Sequence, residues 1–224
     1  MQDKINGRNL FKAVNEHAIS LVNYYIGILK LEPYDYARLD NEIRTILTKY
    51  KIHFQPSCKE RLYLPRTEMS RGLCSVEHRS EQMLLQLRMQ LEKDRHTSIR
   101  RATILCVGKK IWTNLTLIVL YLSSKYNINQ QDLEITKLIN IQKTNLYNKI
   151  KHKYLHSKLC KCAENELVDL KGSSIWLKKG NIKVVDEAVL CFFQDRNLFY
   201  GKKVKCRIVI QPGERLIYWF IRML

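Results

Sequence analysis

The sequence predicts a mostly α-helical protein with few or no strands. Glycine and proline, which interrupt regular structure, number only 8 and 4 among 224 residues. Apolar residues recur every three or four positions over much of the chain, which is the spacing of one helix face. Hydrophobic residues make up 46% and charged residues 27%, a composition typical of folded domains. We therefore expect one helical lobe followed by a helical linker lobe.

The first 50 residues predict two helices that pack as a hairpin. Apolar residues follow the helical spacing over residues 10–31, and Pro33 is expected to end that helix. A second helix is expected at 35–50, with charged residues facing solvent. Its apolar stripe consists of Leu39, Ile43, Ile46 and Leu47.

A connection without helical spacing follows at residues 51–73. It contains Pro56, Pro65 and Gly72, so it is expected to be extended or rich in turns. Ser75 is suited to cap the next helix, which is expected to continue to residue 92.

The second half of the chain predicts further helices. They are expected at 98–126, 131–155, 157–170 and 186–199, with a break at the KGSS sequence of residues 171–174. The most apolar run, at 111–123, is shorter than the ~20 residues needed to cross a bilayer. We interpret this run as part of a buried helix and expect no membrane association.

Positive charge dominates the chain and is concentrated in two blocks. Lys and Arg number 39 against 21 Asp and Glu, for a formal net charge of +18. Residues 51–110 and 141–185 each have seven excess positive charges, and so account for fourteen of the eighteen. Such a surplus favours a phosphate-rich partner, above all nucleic acid, although it specifies no sequence.

The cysteines and the first residues of the chain indicate an intracellular protein. Seven cysteines form an odd set without the spacing of a disulfide framework. The opening residues MQDKINGRNLF lack the apolar core of a signal peptide. We expect the nucleus or the cytoplasm.

Two segments resemble reverse transcriptases of non-LTR retrotransposons. The sequence RLYLPRTEMSRGLCSVE (61–77) is similar to the region after the catalytic palm, and YYIGIL (24–29) and residues 39–50 look like helices of the thumb. The sequence SSIWLKKGNIKVVDEAVLCFFQDRNLFYG (173–201) resembles a later linker block of the same family. The resemblance implies a thumb-like region at 1–96, a helical linker at 97–172 and a C-terminal linker block at 173–224.

The resemblance also shows what this sequence does not contain. Polymerases of this family hold two Mg²⁺ ions on palm aspartates, usually in a Tyr-x-Asp-Asp turn. The nearest string here is Tyr34-Asp35-Tyr36, which has no paired carboxylates. We therefore expect no cofactor and no polymerase activity from this chain by itself, although a palm on another chain could complete an enzyme.

The family's cysteine and histidine zinc motif and its endonuclease domain are also not seen. Cys206 stands where the zinc motif could begin, but neither a second Cys nor a His follows it. The change of character after Cys206 suggests a truncation or a change of reading frame in the source gene, which the other frames of the DNA would test.

Candidate nucleic-acid-binding residues come from both resembling segments. In the first, Lys59, Arg61, Arg66 and Arg71 could lie along a phosphate backbone, because guanidinium groups match phosphate oxygens. The alternative is a solvated basic loop that braces the fold. In the second, Trp176, Lys178 and Lys179 combine an aromatic ring with charge, as single-strand binders do. The alternative there is a tryptophan in the core beside solvated lysines.

Two other residue sets contain side chains that could bind a metal ion or form ion pairs. His152, His156 and Cys160 fall at i, i+4 and i+8, with Cys162 nearby, and on one helix these four could bind zinc. The alternative is a solvated basic face. Acidic residues at 186, 187 and 195 are expected to cap the last helix and to make local ion pairs.

The function expected from these observations is non-specific binding of nucleic acid, RNA or an RNA–DNA duplex, by a palm-less segment of a retrotransposon reverse transcriptase. Other parts of the retrotransposon polyprotein are possible partners. Two alternatives stay open: an independent helical binding or interaction protein derived from such an element, and a non-functional pseudogene product.

Overall fold

The computed structural model describes residues 5–26, 31, 33–93, 114–154, 156–157, 160 and 169–196. Over these ranges the chain is mostly helical and contains no strand. An isolated antiparallel bridge pairs Asn6 with Lys183. The predicted mostly α class is confirmed.

Nine α-helices are described. The first half contains α1 (Gly7–Ala13), α2 (Ser20–Tyr25), α3 (Pro33–Lys49) and α4 (Val76–Lys93). The second half contains α5 (Asn114–Tyr126), α6 (Ile135–Lys151), α7 (Leu170–Ser173), α8 (Ile175–Lys179) and α9 (Val184–Arg196). A π-helical segment (Val14–Ile19) joins α1 to α2, and 3₁₀ turns are found at Glu60–Leu62, Arg66–Glu68 and Gln130–Asp132.

The first predicted helix differs from the structure at both ends. Helical structure begins at Gly7, where the Asn6 side chain accepts a hydrogen bond from the amide of Asn9 at 2.8 Å, and it ends at Tyr25. Pro33 does not end this helix but begins α3. Proline suits that place, because its fixed φ is helical and the first amide of a helix has no partner within it.

Helix α4 is the centre of the fold, since α2, α3, α5 and α6 all pack against it. Its buried residues include Leu84 and Leu85, which join Leu47 of α3 and Leu122 of α5 in one hydrophobic core. Ser75 caps α4 as predicted, because its hydroxyl oxygen accepts a hydrogen bond from the amide of His78 at 3.2 Å.

The connection between α3 and α4 is rich in turns, as predicted. Two of the 3₁₀ turns lie in it, and Gly72 has a φ of +73°, which L side chains rarely adopt. Backbone hydrogen bonds from Arg71 to Arg61 and from Leu73 to Leu62 fold the segment back on itself. The connection is therefore a compact element with its own hydrogen bonds.

The predicted buried helix in the second half is found as α5, whose Ile118 and Leu122 are 1% and 0% exposed. Residues 98–113 of that prediction lie outside the described part. Among the described helices, none combines the length and the apolar character that crossing a bilayer requires.

The last described segment begins with two short helices. Residues 170–179 form α7 and α8 around a turn at Ser174, so the predicted break is one turn between helices. Helix α9 begins two residues before its predicted start. Both α8 and α9 pack against α1, and α8 also packs against the 3₁₀ turn at Arg66. The domain boundaries drawn from the sequence stay a prediction.

Candidate nucleic-acid interface

The three arginines predicted to contact phosphate lie inside the protein. Arg61 and Arg71 are 1% and 2% exposed and are the largest fully buried side chains of the described part. The side chain of Arg66 is 15% exposed. A buried guanidinium group needs a carboxylate and several hydrogen-bond acceptors to offset the loss of its hydration, and each of these arginines has them.

Arg66 and Arg71 share one carboxylate, that of Glu187 on α9. The Nε atom of Arg71 lies 3.0 Å from Glu187 Oε1, and Arg66 contacts both carboxylate oxygens. Arg66 also donates to the carbonyl oxygens of Leu177 and Arg71, at 2.8 and 3.0 Å. The Arg71 guanidinium stacks 4.5 Å from the ring centroid of Phe11 in α1. These contacts join the connection to α1, α8 and α9.

Arg61 makes a second buried pair near the other end of α9. Its Nη1 atom lies 2.9 Å from Asp195 Oδ1 and donates to the carbonyl oxygen of Cys191 at 3.1 Å. The other carboxylate oxygen of Asp195 accepts the amide of Cys58 at 3.0 Å. Burial and hydrogen bonding are therefore complete on both sides of this pair.

This geometry corrects several predictions made from the sequence. Arg61 and Arg66 direct their donors at protein acceptors, as Arg71 does through Nε and Nη1, while Nη2 of Arg71 is buried without a hydrogen-bond partner. These positions differ from the exposed, phosphate-facing ones that the sequence predicted. The alternative, a basic loop that braces the fold, is right in part. These arginines do join parts of the fold, but they are largely buried, whereas a solvated loop was expected. Glu187 and Asp195 make ion pairs with residues more than 100 positions away, where capping and local pairing were expected.

The acidic residues of the connection face the opposite way, toward α6. Glu68 accepts a hydrogen bond from Lys143 Nζ at 2.6 Å and another from the hydroxyl of Tyr147. Glu60 pairs with Lys153, just after α6. The connection thus binds α9 through its arginines and the α6 region through its glutamates.

Trp176, Lys178 and Lys179 lie on α8, at the surface. Lys179 is exposed, while Trp176 and Lys178 are partly exposed and Leu177 between them is fully buried. The start of α1 lies against this segment, because Arg8 Nη1 donates to the carbonyl oxygen of Lys178 at 3.0 Å. Two further contacts, between Asn6 and Asn181 and between Gly7 and Ile182, hold the two segments together.

Trp176 on α8 is partly exposed, and five cations lie on α8 and on the segments next to it. We call this group the α8 surface, and it consists of Arg8, Lys171, Lys178, Lys179 and Lys183, of which all but Lys178 are exposed. Exposed acidic residues of the same segment are Asp169 and Asp186. The positive residues outnumber them, so the α8 surface has a positive potential suited to an anionic ligand.

Lys59 does not belong to the α8 surface. It is exposed, but its neighbour Cys58 contacts Asp195 near the C-terminal end of α9. Lys183 lies beside the N-terminal end of the same helix, and the eleven residue-to-residue steps from Val184 to Asp195 span ~17 Å at the helical rise. The seven predicted residues thus fall into three sets. Arg61 and Arg71 are buried and Arg66 is largely buried, and we call these three the buried brace. Lys59 is a separate surface residue, and Trp176, Lys178 and Lys179 lie at the α8 surface.

The predicted zinc ligands are not presented on one helix face. Helix α6 ends at Lys151, so His152 and His156 do not follow helical spacing. His152 is exposed, whereas His156 is buried with Nδ1 3.1 Å from the carbonyl oxygen of Asp195. Cys160 packs in a small apolar cluster with Leu146 and Ile150, and Cys162 lies outside the described residues. Within the described ranges, no three potential metal ligands come together.

Arg8, Lys171 and Lys183 are the residues of the α8 surface that the sequence pattern did not single out. Arg8 lies in a stretch where acidic and basic residues nearly balance, and it reaches the α8 surface through contacts 170 positions apart in the chain. A pattern within one segment cannot show such a contact.

Comparison of the chain with protein-family models, with curated proteins and with solved structures finds no match. The geometry of the α8 surface and the charge of the chain are therefore the observations on which a functional argument can rest.

Proposed function

We propose that this protein binds nucleic acid through the α8 surface. The observation that carries the proposal is that two contacting segments from opposite ends of the described chain bring five cations to the part of the fold that contains the partly exposed Trp176. Lysine and arginine bind phosphate groups and release counterions, which gives affinity for any sequence. A tryptophan ring beside them can stack on an unpaired base. Single-stranded RNA or DNA is the ligand that uses both features.

The net charge supports the same class of ligand. Glu187 and Asp195 offset two of the three buried arginine charges, so most of the charge available to a ligand comes from exposed lysines and from exposed arginines such as Arg8 and Arg38. A surplus of +18 on 224 residues leaves a positive field after these pairs are formed.

The resemblance to non-LTR reverse transcriptases remains a proposal about origin. Under it, the chain corresponds to thumb and linker segments, and the α8 surface would contact template or primer near the polymerase. The sequence contains no paired palm aspartates, so we propose binding without polymerase activity.

The first test compares the binding of labelled single-stranded RNA, an RNA–DNA duplex and duplex DNA over a salt series. The variant Lys178→Ala/Lys179→Ala should bind single strands more weakly, and its log K against log salt should lose up to about two units of slope. Trp176→Ala should weaken single-strand binding by ~1–3 kcal/mol while leaving the slope almost unchanged. A primer-extension assay with Mg²⁺ should give no product.

The matched control is Arg38→Ala/Lys49→Ala, which removes two exposed cations from α3. This control should bind like the parent chain. If the two double variants lose affinity equally, binding follows net charge and the α8 surface is not the site. If the parent chain binds no nucleic acid at low salt, the proposed function is wrong.

A further inference from the structure

The solvent-facing side of α6 has an unusual composition. Residues 137, 140, 144, 148 and 151 are spaced by three or four positions, so they lie on one face, and all of them are exposed. They are Lys137, Asn140, Thr144, Asn148 and Lys151. We call this set the α6 face; it has short polar side chains in the middle and a lysine at each end.

No acidic residue occurs anywhere in the 17 residues of α6, which contain four lysines. The two helices of similar length are different, since α3 includes Asp35, Asp40 and Glu42 and α4 includes Glu77, Glu81 and Glu92. A solvated helix face usually mixes both signs of charge. The α6 face instead presents only positive and neutral polar groups, as a surface that approaches phosphates does.

Carboxylates close to α6 are neutralised or lie at one end. Glu68 is bonded by Lys143 and Tyr147, which flank the α6 face. Asp132 lies 3.8 Å from Lys137, at the N-terminal end of the helix. The central residues of the face, from Asn140 to Asn148, therefore have no carboxylate on their own helix to repel a phosphate.

The opposite side of α6 fixes the helix to the rest of the protein. Leu138, Leu146 and Ile150 are buried, and the buried Gln142 donates to Glu81 of α4 at 2.7 Å. A face on a well-anchored helix is presented without loss of order on binding.

We propose that the α6 face binds duplex DNA by entering the major groove. The groove of B-form DNA is ~12 Å wide and accepts a helix, and the α6 face extends ~21 Å at 1.5 Å per residue. Asparagine amides and a threonine hydroxyl are groups that bond base edges, and α6 contains no acidic residue that would repel a phosphate. The inference rests on the proposed function only for its class of ligand, because it concerns a different surface.

The decisive variant is Thr144→Glu, which places a carboxylate in the middle of the α6 face. A like charge against the DNA should lower affinity for a B-form DNA duplex by at least about tenfold. Binding of an A-form RNA duplex should change less than about twofold, because its narrow major groove does not accept a helix. Asn140→Ala/Asn148→Ala should also weaken DNA binding, without a change in the salt slope.

The chain offers a closely matched control in Thr45→Glu on α3. Thr45 and Thr144 are both exposed threonines on 17-residue helices. Each hydroxyl donates to the carbonyl oxygen of an asparagine four residues earlier, at 3.0 and 2.9 Å. Thr45→Glu changes the charge equally, so it should reduce DNA binding less than about twofold. Circular dichroism and thermal unfolding should show both variants folded.

Equal losses in Thr144→Glu and Thr45→Glu would overturn the inference, as would unchanged DNA binding in Thr144→Glu. Equal losses for DNA and RNA duplexes would also overturn it, since they would indicate phosphate contact without groove entry. The Lys178→Ala/Lys179→Ala variant separates this inference from the proposed function. If only that variant loses affinity, the α8 surface binds nucleic acid and the inference about the α6 face is wrong. If only Thr144→Glu loses affinity, the α6 face binds DNA and the proposed function of the α8 surface is wrong.

Discussion

Glu187 is the carboxylate that two arginines of the buried brace share. Its carboxylate receives Arg66 and Arg71, and Gly7 at the start of α1 lies directly against it, where a Cβ atom would overlap the carboxylate. One buried carboxylate thus determines where three segments of the chain meet. Removing its charge would leave two guanidinium groups without an anion.

Glu187→Gln is therefore expected to destabilise the fold by roughly 3–5 kcal/mol, the usual cost of breaking a buried ion pair from one side. The matched control is Glu16→Gln, because Glu16 pairs with Lys12 at 3.7 Å on an exposed surface and should contribute less than about 1 kcal/mol. Urea unfolding followed by circular dichroism measures both. Similar midpoints for the two variants would contradict a structural role for the brace.

His53 gives the fold a specific sensitivity to acid. Burial, together with the positive charges of Arg71 and Arg44, lowers the pKa of His53 from 6.5 to about 4. The unfolded chain therefore binds a proton at this residue between pH 6.5 and 4, whereas the folded chain does not. Stability should fall as the pH decreases through this window, by up to ~3 kcal/mol from this residue.

His53→Gln should remove this part of the acid dependence, measured as the change in free energy of unfolding between pH 7 and pH 4. The control is the exposed His17. The variant His17→Gln should lose as much free energy of unfolding between pH 7 and pH 4 as the parent chain does. Parallel slopes for His53→Gln and the parent chain would show that other groups cause the acid loss.

At the level of elements, helix α4 receives its N-terminal cap from another helix. Asp40 of α3 accepts hydrogen bonds from the Ser75 hydroxyl at 2.6 Å and from the amides of Val76 and Glu77 at 2.9 and 3.2 Å. The carboxylate also complements the positive end of the helix dipole. Packing of α3 on α4 and capping of α4 are therefore one interaction.

Asp40→Ala should cost about 2 kcal/mol or more, because three buried donors lose their acceptor. Glu42→Ala on the exposed side of the same helix should cost less than about 0.5 kcal/mol. Thermal unfolding of the two variants tests this, and a cost for Asp40→Ala no larger than that for Glu42→Ala would contradict the capping role.

The elements also show how far sequence reasoning extends. Periodicity placed α3 and α4 to within about two residues, and Ser75 could be identified as a cap because capping involves residues three apart. Asp40 could not be identified, since its partners are 35 or more positions away. The arginines of RLYLPRTEMSRG were misplaced for the same reason. Their charge suggests a surface, but the carboxylates that bury them lie in another helix.

The π-helical segment is a further feature that periodicity did not show. It lies between α1 and α2, and its Asn15 side chain donates to the carbonyl oxygen of Gly72 at 2.8 Å and accepts the amide of Cys74 at 2.9 Å. The amide side chain thus satisfies the backbone just where Gly72 takes a positive φ. A wider helical turn of this kind depends on a partner outside the helix.

At the scale of the whole molecule, the connection between α3 and α4 holds two separate groups of helices. Its arginines bind α9 through Glu187 and Asp195, and its glutamates bind α6 and the residue Lys153 after it. The first set of contacts supports the α8 surface, and the second supports α6 together with its packing on α4. Each proposed binding surface is therefore supported by its own ion pairs.

This separation predicts local effects for changes on either side of the connection. Asp195→Asn weakens contacts with Arg61 and the amide of Cys58, so amide hydrogen exchange should accelerate in α8 and α9 while α6 stays protected. Glu68→Gln weakens contacts with Lys143 and Tyr147 and should accelerate exchange in α6 alone. Local opening of this kind arises where few contacts join a helix group to the core. If either variant accelerated exchange equally in α6 and α9, the two groups would unfold as one cooperative unit and the binding surfaces could not vary independently.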